Sequence, residues 1–568
     1  MQQQGPTLPI SIEIDELKYR QPNESFREKC SRIADSLKDS EEHFKAFRDI
    51  LLDQRFLPAG RVQASMGAAR MTTPYNCFVA PTIPDDMGGI MDVAKYAAMT
   101  MRLGGGIGYD FSTIRPNGDT ISKTQSSASG PVSFMTIFDA VCSTIASAGH
   151  RRGAQMGVLR IDHPDIELFI RSKQNSGALT NFNISIAVTD KFMEAVAAGT
   201  GFDLVWGGKR YDTVDARGLW NEIMRSTWDW AEPGVLFIDR INEMNNLWYC
   251  EDIAATNPCA EQPLPPNGAC LLGSFNLVHY LMEVPDSPRR WFFDYAQFCK
   301  DIPHVIRAMD NIVDRALYPL TEQFEEAKSK RRMGIGVTGV ANCIEALGRS
   351  YGSAGFISTM DLILGTLTNQ AYTASALLAA EKGAFPLYQS ANYQAGNFIQ
   401  TLLPNVQDLI MEHGIRNSHL ISYAPTGTIS LAADNVSSGI EPVFSYGFER
   451  TLMTPTGPRV EKVTDYGVRE LGVLGQTAAA CTVDDHLDVL IAASKHVDSA
   501  VSKTCNVGDN VTFEQFKEIY RTAWLGKTRG CTTFRASGKR AGILVATSEE
   551  SEGAACYIDP TTGNKTCE

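Results

Sequence analysis

The sequence predicts an α/β protein, and three features of it point that way. From about residue 74 onward, short apolar runs punctuated by Gly and Pro alternate with helical stretches. "NISIAVTD" (183–190) and "GILVATSE" (542–549) have the near-continuous apolar character of buried parallel strands, whereas "FMEAVAAG" (192–199) and "IEALGRS" (344–350) read as helices. No internal repeat of fixed period is visible, which sets solenoids and propellers aside. Alternation of this kind favours helices packed over a buried, mostly parallel sheet.

Residues 24–55 place apolar side chains at three- and four-residue spacing, so residues 1–70 are expected to form a mostly helical N-terminal region. Residues 71–545 are then expected to form the α/β domain. Residues 546–568 are polar and rich in Gly, Thr and Glu, the composition of a flexible tail. That tail carries Cys556 and Cys567, although a thiol has no packing role there.

Composition narrows the class of function. With 568 residues, 43% hydrophobic and 21% charged, the chain has the make-up of a soluble globular protein. The start is polar and acidic, unlike a secretory signal, and no run of about 18 apolar residues occurs. A cytoplasmic protein with no membrane partner is expected. The net charge of -13 supplies no positive field for a nucleic-acid backbone, so no nucleic-acid partner is expected. Two basic clusters, Arg151–Arg152 and Lys328 to Arg332, are either solvated faces or local phosphate sites. The 13 cysteines include no C-x-x-C pair, so no metal site is predicted. Cys30, Cys142, Cys250, Cys299, Cys343 and Cys481 read as small buried hydrophobes.

The glycine-rich motifs differ in weight. "RRMGIGVTGV" matches G-x-G-x-x-G at Gly334, Gly336 and Gly339, but a charged, helix-like stretch precedes it where a dinucleotide site needs a strand. Close backbone packing is the better reading. "RLGGGIGYDFSTIRP" is a flexible turn, or a place where backbone N–H groups approach a ligand. In "YAPTGTISLAADN", Pro425, Thr426, Gly427, Thr428, Ile429 and Ser430 bring hydroxyls and a glycine to the start of a helix. That arrangement makes either an anion pocket or an ordinary N-cap.

The most distinctive stretch is "NPCAEQPLPPNGACLLGSFNL" (257–277), with Cys259 and Cys270 eleven positions apart. If this segment is extended, Asn257, Cys259 and Glu261 point the same way. Glu261 is then a candidate general base and Asn257 a donor to the molecule that Cys259 touches. Thiolate attack, a redox disulfide and a thiyl radical all fit. The motif holds no His to lower the thiol pKa, and the nearby carboxylate opposes a thiolate. Hydrogen-atom chemistry is therefore favoured.

Taken together, this motif, "YNCFVAP", "RLGGGIGYDFSTIRP", "LTNFNISIAVTD", "RRMGIGVTGV" and "APTGTISLAADNVSSGIEPVF" resemble, in order, the catalytic chain of ribonucleotide reductases over roughly residues 55–540. The resemblance implies a ten-stranded α/β barrel of two five-stranded parallel halves, with the catalytic cysteine on an internal finger loop. It also implies roles. Cys259 becomes the thiyl radical that takes the ribose 3′ hydrogen, Glu261 the base at the 3′-hydroxyl, and Asn257 the amide orienting the ribose. Cys77 and Cys270 become the pair that reduces the 2′ carbon and ends as a disulfide. Thr426 to Ser430 match the substrate-phosphate loop, and Asn76 and Gly106 match substrate-contacting positions. Cys556 and Cys567, spaced more widely than the tail pairs of many relatives, are expected to form a tail redox shuttle because they lie in an otherwise polar tail. Residues 151–165 and 174–183 fall where the family relays the identity of a deoxynucleoside triphosphate effector. Val62 departs from the family, where Thr is common.

The radical source follows from the same resemblance. Class I chains pass the radical through adjacent tyrosines, and no Tyr-Tyr dipeptide exists here; class III needs a C-terminal glycyl radical motif, also missing. "AWLGKTRGCTTFRASGKR" resembles class II, which uses adenosylcobalamin, and a compact class I subunit with a metal-carrying partner is the alternative. Thioredoxin or glutaredoxin is the implied reductant and a homodimer the implied assembly. The segment ahead of the matching motifs is too short for the N-terminal ATP-binding domain of many relatives, so activity control by that route is not expected.

Overall fold

The structure is a computed structural model that describes residues 5–121, 125–145, 154–174, 177–454, 457–535, 537–539, 556–558 and 565–567. Residues 448–461 and the last two short segments are described by their backbone alone. The predicted strand at 542–549 lies outside the described residues.

The N-terminal region holds α1 (Pro9–Lys18), α2 (Phe26–Leu37) and α3 (Glu41–Leu52), followed by the short strand β1 (Phe56–Pro58). The break between α2 and α3 is set by caps. Ser25 and Glu28 form a capping box at the start of α2, and the Ser40 side chain accepts from the backbone of His43 at the start of α3. The region is not separate from the rest, because β1 pairs antiparallel with the strand holding Phe275.

Five parallel neighbours then follow: β2 (Cys77–Val79), β3 (Gly106–Asp110), β4 (Gln155–Arg160), β5 (Phe182–Val188) and β6 (Gly234–Phe237). β5 is buried at all but one residue, as an apolar strand covered on both faces must be. A small antiparallel hairpin comes next, β7 (Ala255–Thr256) with β8 (Pro263–Leu264). β9 (Ala269–Cys270) pairs antiparallel with β2, and the chain runs on into β10 (Leu272–Asn276). β10 pairs parallel with β11 (Gly334–Thr338), which has a parallel bridge from Ile335 to Ile421. A further parallel bridge joins Tyr423 to Val501, just ahead of β12 (Thr504–Val507). β12 is parallel to β13 (Gly530–Arg535), and β13 meets β6 antiparallel. The result is a mixed α/β fold with a large, parallel-rich sheet.

Helices cover this sheet. The amphipathic α4 (Tyr295–Arg315) packs on the long α6 (Ala354–Lys382), with α5 (Val340–Ala346) between them in sequence. The predicted helix at 344–350 holds only as far as Ala346. Gly348 adopts a left-handed φ of 77°, its N–H bonds back to the Glu345 carbonyl, and the chain turns out.

"RRMGIGVTGV" is the strand β11 rather than a phosphate loop. A Cβ on Gly334 would collide with the Gln262 side chain, and one on Gly336 would lie 2.5 Å from the Ser422 carbonyl. Close packing accounts for both glycines. Cys30, Cys142 and Cys343 are buried and Cys299 and Cys481 half-buried, but Cys250 is exposed. It sits in the turn-rich stretch before β7.

Candidate active site

The β7–β8 hairpin carries residues 257–262 as a closed turn, not the extended segment that alternation suggests. Pro258 and the left-handed Ala260 (φ 65°) bend the chain back on itself. The Asn257 N–H donates to the Gln262 carbonyl at 3.1 Å, the Gln262 N–H donates to Asn257 Oδ1 at 3.0 Å, and the Ala260 N–H donates to the Asn257 carbonyl at 3.0 Å. The turn separates the three side chains by burial. Asn257 is fully buried and Glu261 2% exposed, whereas Cys259 is exposed at the tip. Asn257 spends its acceptor within the turn, and its Nδ2 has no hydrogen-bond partner among the described residues. It is therefore held ready as a donor.

Glycines in the neighbouring strand let this fingertip approach. A Cβ on Gly108 would overlap the Thr256 carbonyl, and one on Gly106 would lie 3.2 Å from Pro258 Cγ and 3.3 Å from Cys77 Sγ. The Asn183 amide donates to the Pro258 carbonyl at 3.0 Å. On the other side, the Glu261 carbonyl accepts from the Ala500 N–H at 3.0 Å and from Ser422 Oγ at 2.9 Å. The fingertip is thus tied to both groups of parallel strands.

Cys77 and Cys270 face each other as register partners in β2 and β9. Such partners have Cα atoms about 4.5–5.5 Å apart, within the span a disulfide needs. Both are in the thiol form in this structure. Burial pushes the Cys270 thiol well above its usual range, and Cys77, Glu261 and Cys259 add to the effect in that order. Those four groups therefore share one electrostatic neighbourhood. Asn76 lies at its edge, donating its N–H to the Cys270 carbonyl at 3.2 Å, while its own carbonyl accepts from the Gly106 N–H at 2.9 Å.

The Thr426–Ser430 stretch opens the short helix α7 (Gly427–Ala432), with Thr426 left-handed at φ 56°. Thr426 Oγ1 lies 2.8 Å from Thr338 Oγ1 and accepts from the Gly439 N–H at 2.7 Å. Ser430 Oγ is 2.9 Å from Ser438 Oγ. Two of the loop's hydroxyls are thus engaged with the protein, leaving Gly427 exposed, Thr428 and Pro425 half-buried and Ile429 in the apolar layer. From outside, α1 braces the loop: Ile10 and Ile14 pack with Ile429 and Leu431, and Ser11 Oγ donates to the Leu431 carbonyl at 2.6 Å. Val62 is fully buried, so this apolar departure from the family is a packing residue.

In the tail, the backbone pairs 556–558 with 565–567 antiparallel and sets Cys556 opposite Cys567. The basic pair Arg151–Arg152 and positions 175–176 of the expected specificity loops lie outside the described residues. Among the described residues, no group of three or more His, Cys, Asp or Glu could hold a metal ion, and no helix is long and apolar enough to cross a membrane. Sequence reasoning misses the buried polar residues Gln262 and Ser422 at the fingertip and Thr338 beside the Thr426–Ser430 loop. Their only signal is a polar side chain inside an apolar strand or hairpin.

The fingertip thus presents an exposed thiol between a buried amide and a buried carboxylate, in the electrostatic neighbourhood of two strand thiols that are register partners. The chain belongs to the ribonucleotide reductase barrel-domain family, whose description matches residues 75–475 and 473–534. It is 32% identical over 562 residues to a vitamin B12-dependent ribonucleoside-diphosphate reductase of Mycobacterium tuberculosis (strain CDC 1551 / Oshkosh), covering 92% of this chain and 78% of that one. A protein of the same name from Thermoplasma acidophilum is 31% identical, covering 90% of this chain and 67% of its own. A ribonucleoside-diphosphate reductase subunit alpha of Chlamydia muridarum is 24% identical, over 86% of this chain and 54% of its own.

Proposed function

We propose that this chain is a class II ribonucleotide reductase, an oxidoreductase that converts ribonucleotides to 2′-deoxyribonucleotides with adenosylcobalamin. The observation that carries the reading is the fingertip, where Cys259 is exposed between the buried Asn257 and Glu261. The names of the M. tuberculosis and T. acidophilum relatives support the cofactor and point to a diphosphate substrate.

The residues fit that cofactor at its reactive end. A bulky group can reach only an exposed sulfur, and among Cys77, Cys259 and Cys270 only Cys259 is exposed. When bound, adenosylcobalamin supplies a carbon-centred radical able to take the hydrogen atom of a thiol. Cys259 as thiyl then removes the ribose 3′ hydrogen, while Glu261 takes the 3′-hydroxyl proton and Asn257 Nδ2 donates to the ribose. Loss of the 2′-hydroxyl as water leaves a 2′ carbon that Cys77 and Cys270 reduce, yielding two electrons and two protons as their sulfurs join. Cys259, holding that hydrogen atom as a thiol, then returns it to C3′ of the product and is left as the thiyl it began as. A high thiol pKa suits Cys270 to this work, since it arrives carrying its proton.

The pairings of β2 to β6, and of β10, β11, 421–423, 501–507 and β13, joined by the antiparallel contacts β2–β9 and β6–β13, support a closed ten-stranded barrel. Residues 1–70, 71–545 and 546–568 act as helical region, catalytic domain and redox tail, the last re-reduced by thioredoxin or glutaredoxin. A deoxynucleoside triphosphate sets substrate choice through 151–165 and 174–183, in a homodimer.

The test is an assay of the purified chain with a ribonucleoside diphosphate, adenosylcobalamin and dithiothreitol, and no second protein. Deoxynucleotide should form. A requirement for an added metal-carrying subunit would establish the class I alternative instead.

A further inference from the structure

Asn276 is the last residue of β10 and is fully buried. Neither its Oδ1 nor its Nδ2 has a hydrogen-bond partner among the described residues. Burying a carboxamide unpaired at both ends is costly, and a group kept so commonly serves a ligand.

The strand register says where it points. Leu272, Ser274 and Asn276 pair with Gly334, Gly336 and Thr338 in the parallel neighbour β11. Side chains alternate along a strand, and register partners on adjacent strands share a face. A Cβ on Gly334 would strike the fingertip's Gln262, so this face looks toward the fingertip. Thr338 ends the same face of β11, and its hydroxyl lies 2.8 Å from that of Thr426, where the Thr426–Ser430 loop begins. Asn276 is next to it: a Cβ on Gly339 would lie 3.2 Å from Asn276 Oδ1. Asn276, Thr338 and Thr426 all follow the C-terminal ends of parallel strands, the end at which α/β sheets take ligands.

The loop's own hydroxyls are already engaged: Thr426 Oγ1 accepts from the Gly439 N–H and lies beside Thr338 Oγ1, and Ser430 Oγ lies beside Ser438 Oγ. We propose that Asn276 is a further substrate-positioning residue, its carboxamide donating a hydrogen bond to the phosphate held by the Thr426–Ser430 loop. This rests on the reading of that loop as the phosphate site, and the experiment separates the two.

Asn276→Ser, Asn276→Asp and Thr428→Val are each assayed as full chains for kcat and KM with a ribonucleoside diphosphate, after circular dichroism and thermal melting establish that they fold. Asn276→Ser keeps a small polar group and serves if the buried carboxylate of Asn276→Asp prevents folding. A lost charge-assisted bond raises KM by about tenfold with kcat within about threefold. Asn276→Asp raises KM further than Asn276→Ser, because a carboxylate repels the phosphate. A purely structural role would lower melting temperature or kcat without this KM shift or this order. If Thr428→Val raises KM and the foldable Asn276 variants stay within about twofold of the parent, the assignment of Asn276 falls and the loop stands. If no variant moves KM, both fall.

Discussion

Two places in the molecule hold the same chemical group under opposite conditions. At the tip of the β7–β8 hairpin, Cys259 is exposed on a tight turn; eleven residues later Cys270 is fully buried in a strand, facing Cys77. The hairpin tip is built by local bonds among Asn257, Ala260 and Gln262, whereas the strand pair is built by sheet register. Position in the fold therefore gives the two thiols different surroundings, and on the proposed function different work. An exposed thiol on a braced turn suits an externally generated radical that must reach it and return. A buried, protonated Cys270 beside the half-buried Cys77 suits storage of reducing equivalents in the sheet.

Loss of the sulfur at the tip should have the gravest consequence. Cys259→Ser should abolish deoxynucleotide formation while leaving nucleotide binding close to normal, because an O–H bond is too strong to substitute for the thiol. Appreciable product from the pure variant, measured by chromatography, would remove the radical assignment.

At the strand wall the consequence is partial. A disulfide between Cys77 and Cys270 would be too enclosed for a protein reductant to enter, so removing residues 550–568 should collapse thioredoxin-driven turnover while activity with dithiothreitol persists. Undiminished cycling on thioredoxin would take the shuttle role from Cys556 and Cys567.

The contrast in ionisation is subtler. Burial raises the Cys270 pKa well above the ordinary thiol value, so Cys270 stays protonated as pH climbs through the range in which an unburied thiol ionises. Iodoacetamide at pH 7 to about 9 should label Cys259 and leave Cys270 unmodified in the reduced, folded chain, with no rise at Cys270 as pH increases. Equal labelling at pH 8, read by peptide mass spectrometry, would refute the burial argument.

Much of this is legible in the sequence, unevenly. β5 is plain because a strand buried on both faces is mostly apolar, and only Asn183 and Ser185 interrupt it. The segments that follow β11 in the sheet, 421–423 and then 501, are not, because they are short and join through single bridges that only long-range pairing creates. The helix predicted at 344–350 is too long because Gly348 acts through a left-handed turn that spacing does not encode. Cys259 and Cys270 stand out by residue type, but their roles come from the joint match of several motifs. The orientation of the fingertip escapes the pattern, since alternation assumes an extended chain and Pro258 with a left-handed Ala260 makes a turn. Asn276 reads as an ordinary strand-ending amide; only register, burial and its unpaired ends set it apart.

A single turnover decides whether tip and wall divide the labour in this way. Fully reduced chain is mixed with adenosylcobalamin and a ribonucleoside diphosphate in the absence of any reductant, quenched in acid, and its cysteines mapped by differential alkylation and mass spectrometry. The account predicts deoxynucleotide accompanied by a disulfide joining Cys77 to Cys270, with Cys259 recovered as a thiol. Product formed with Cys77 and Cys270 still reduced, or with Cys259 in the disulfide, would contradict it.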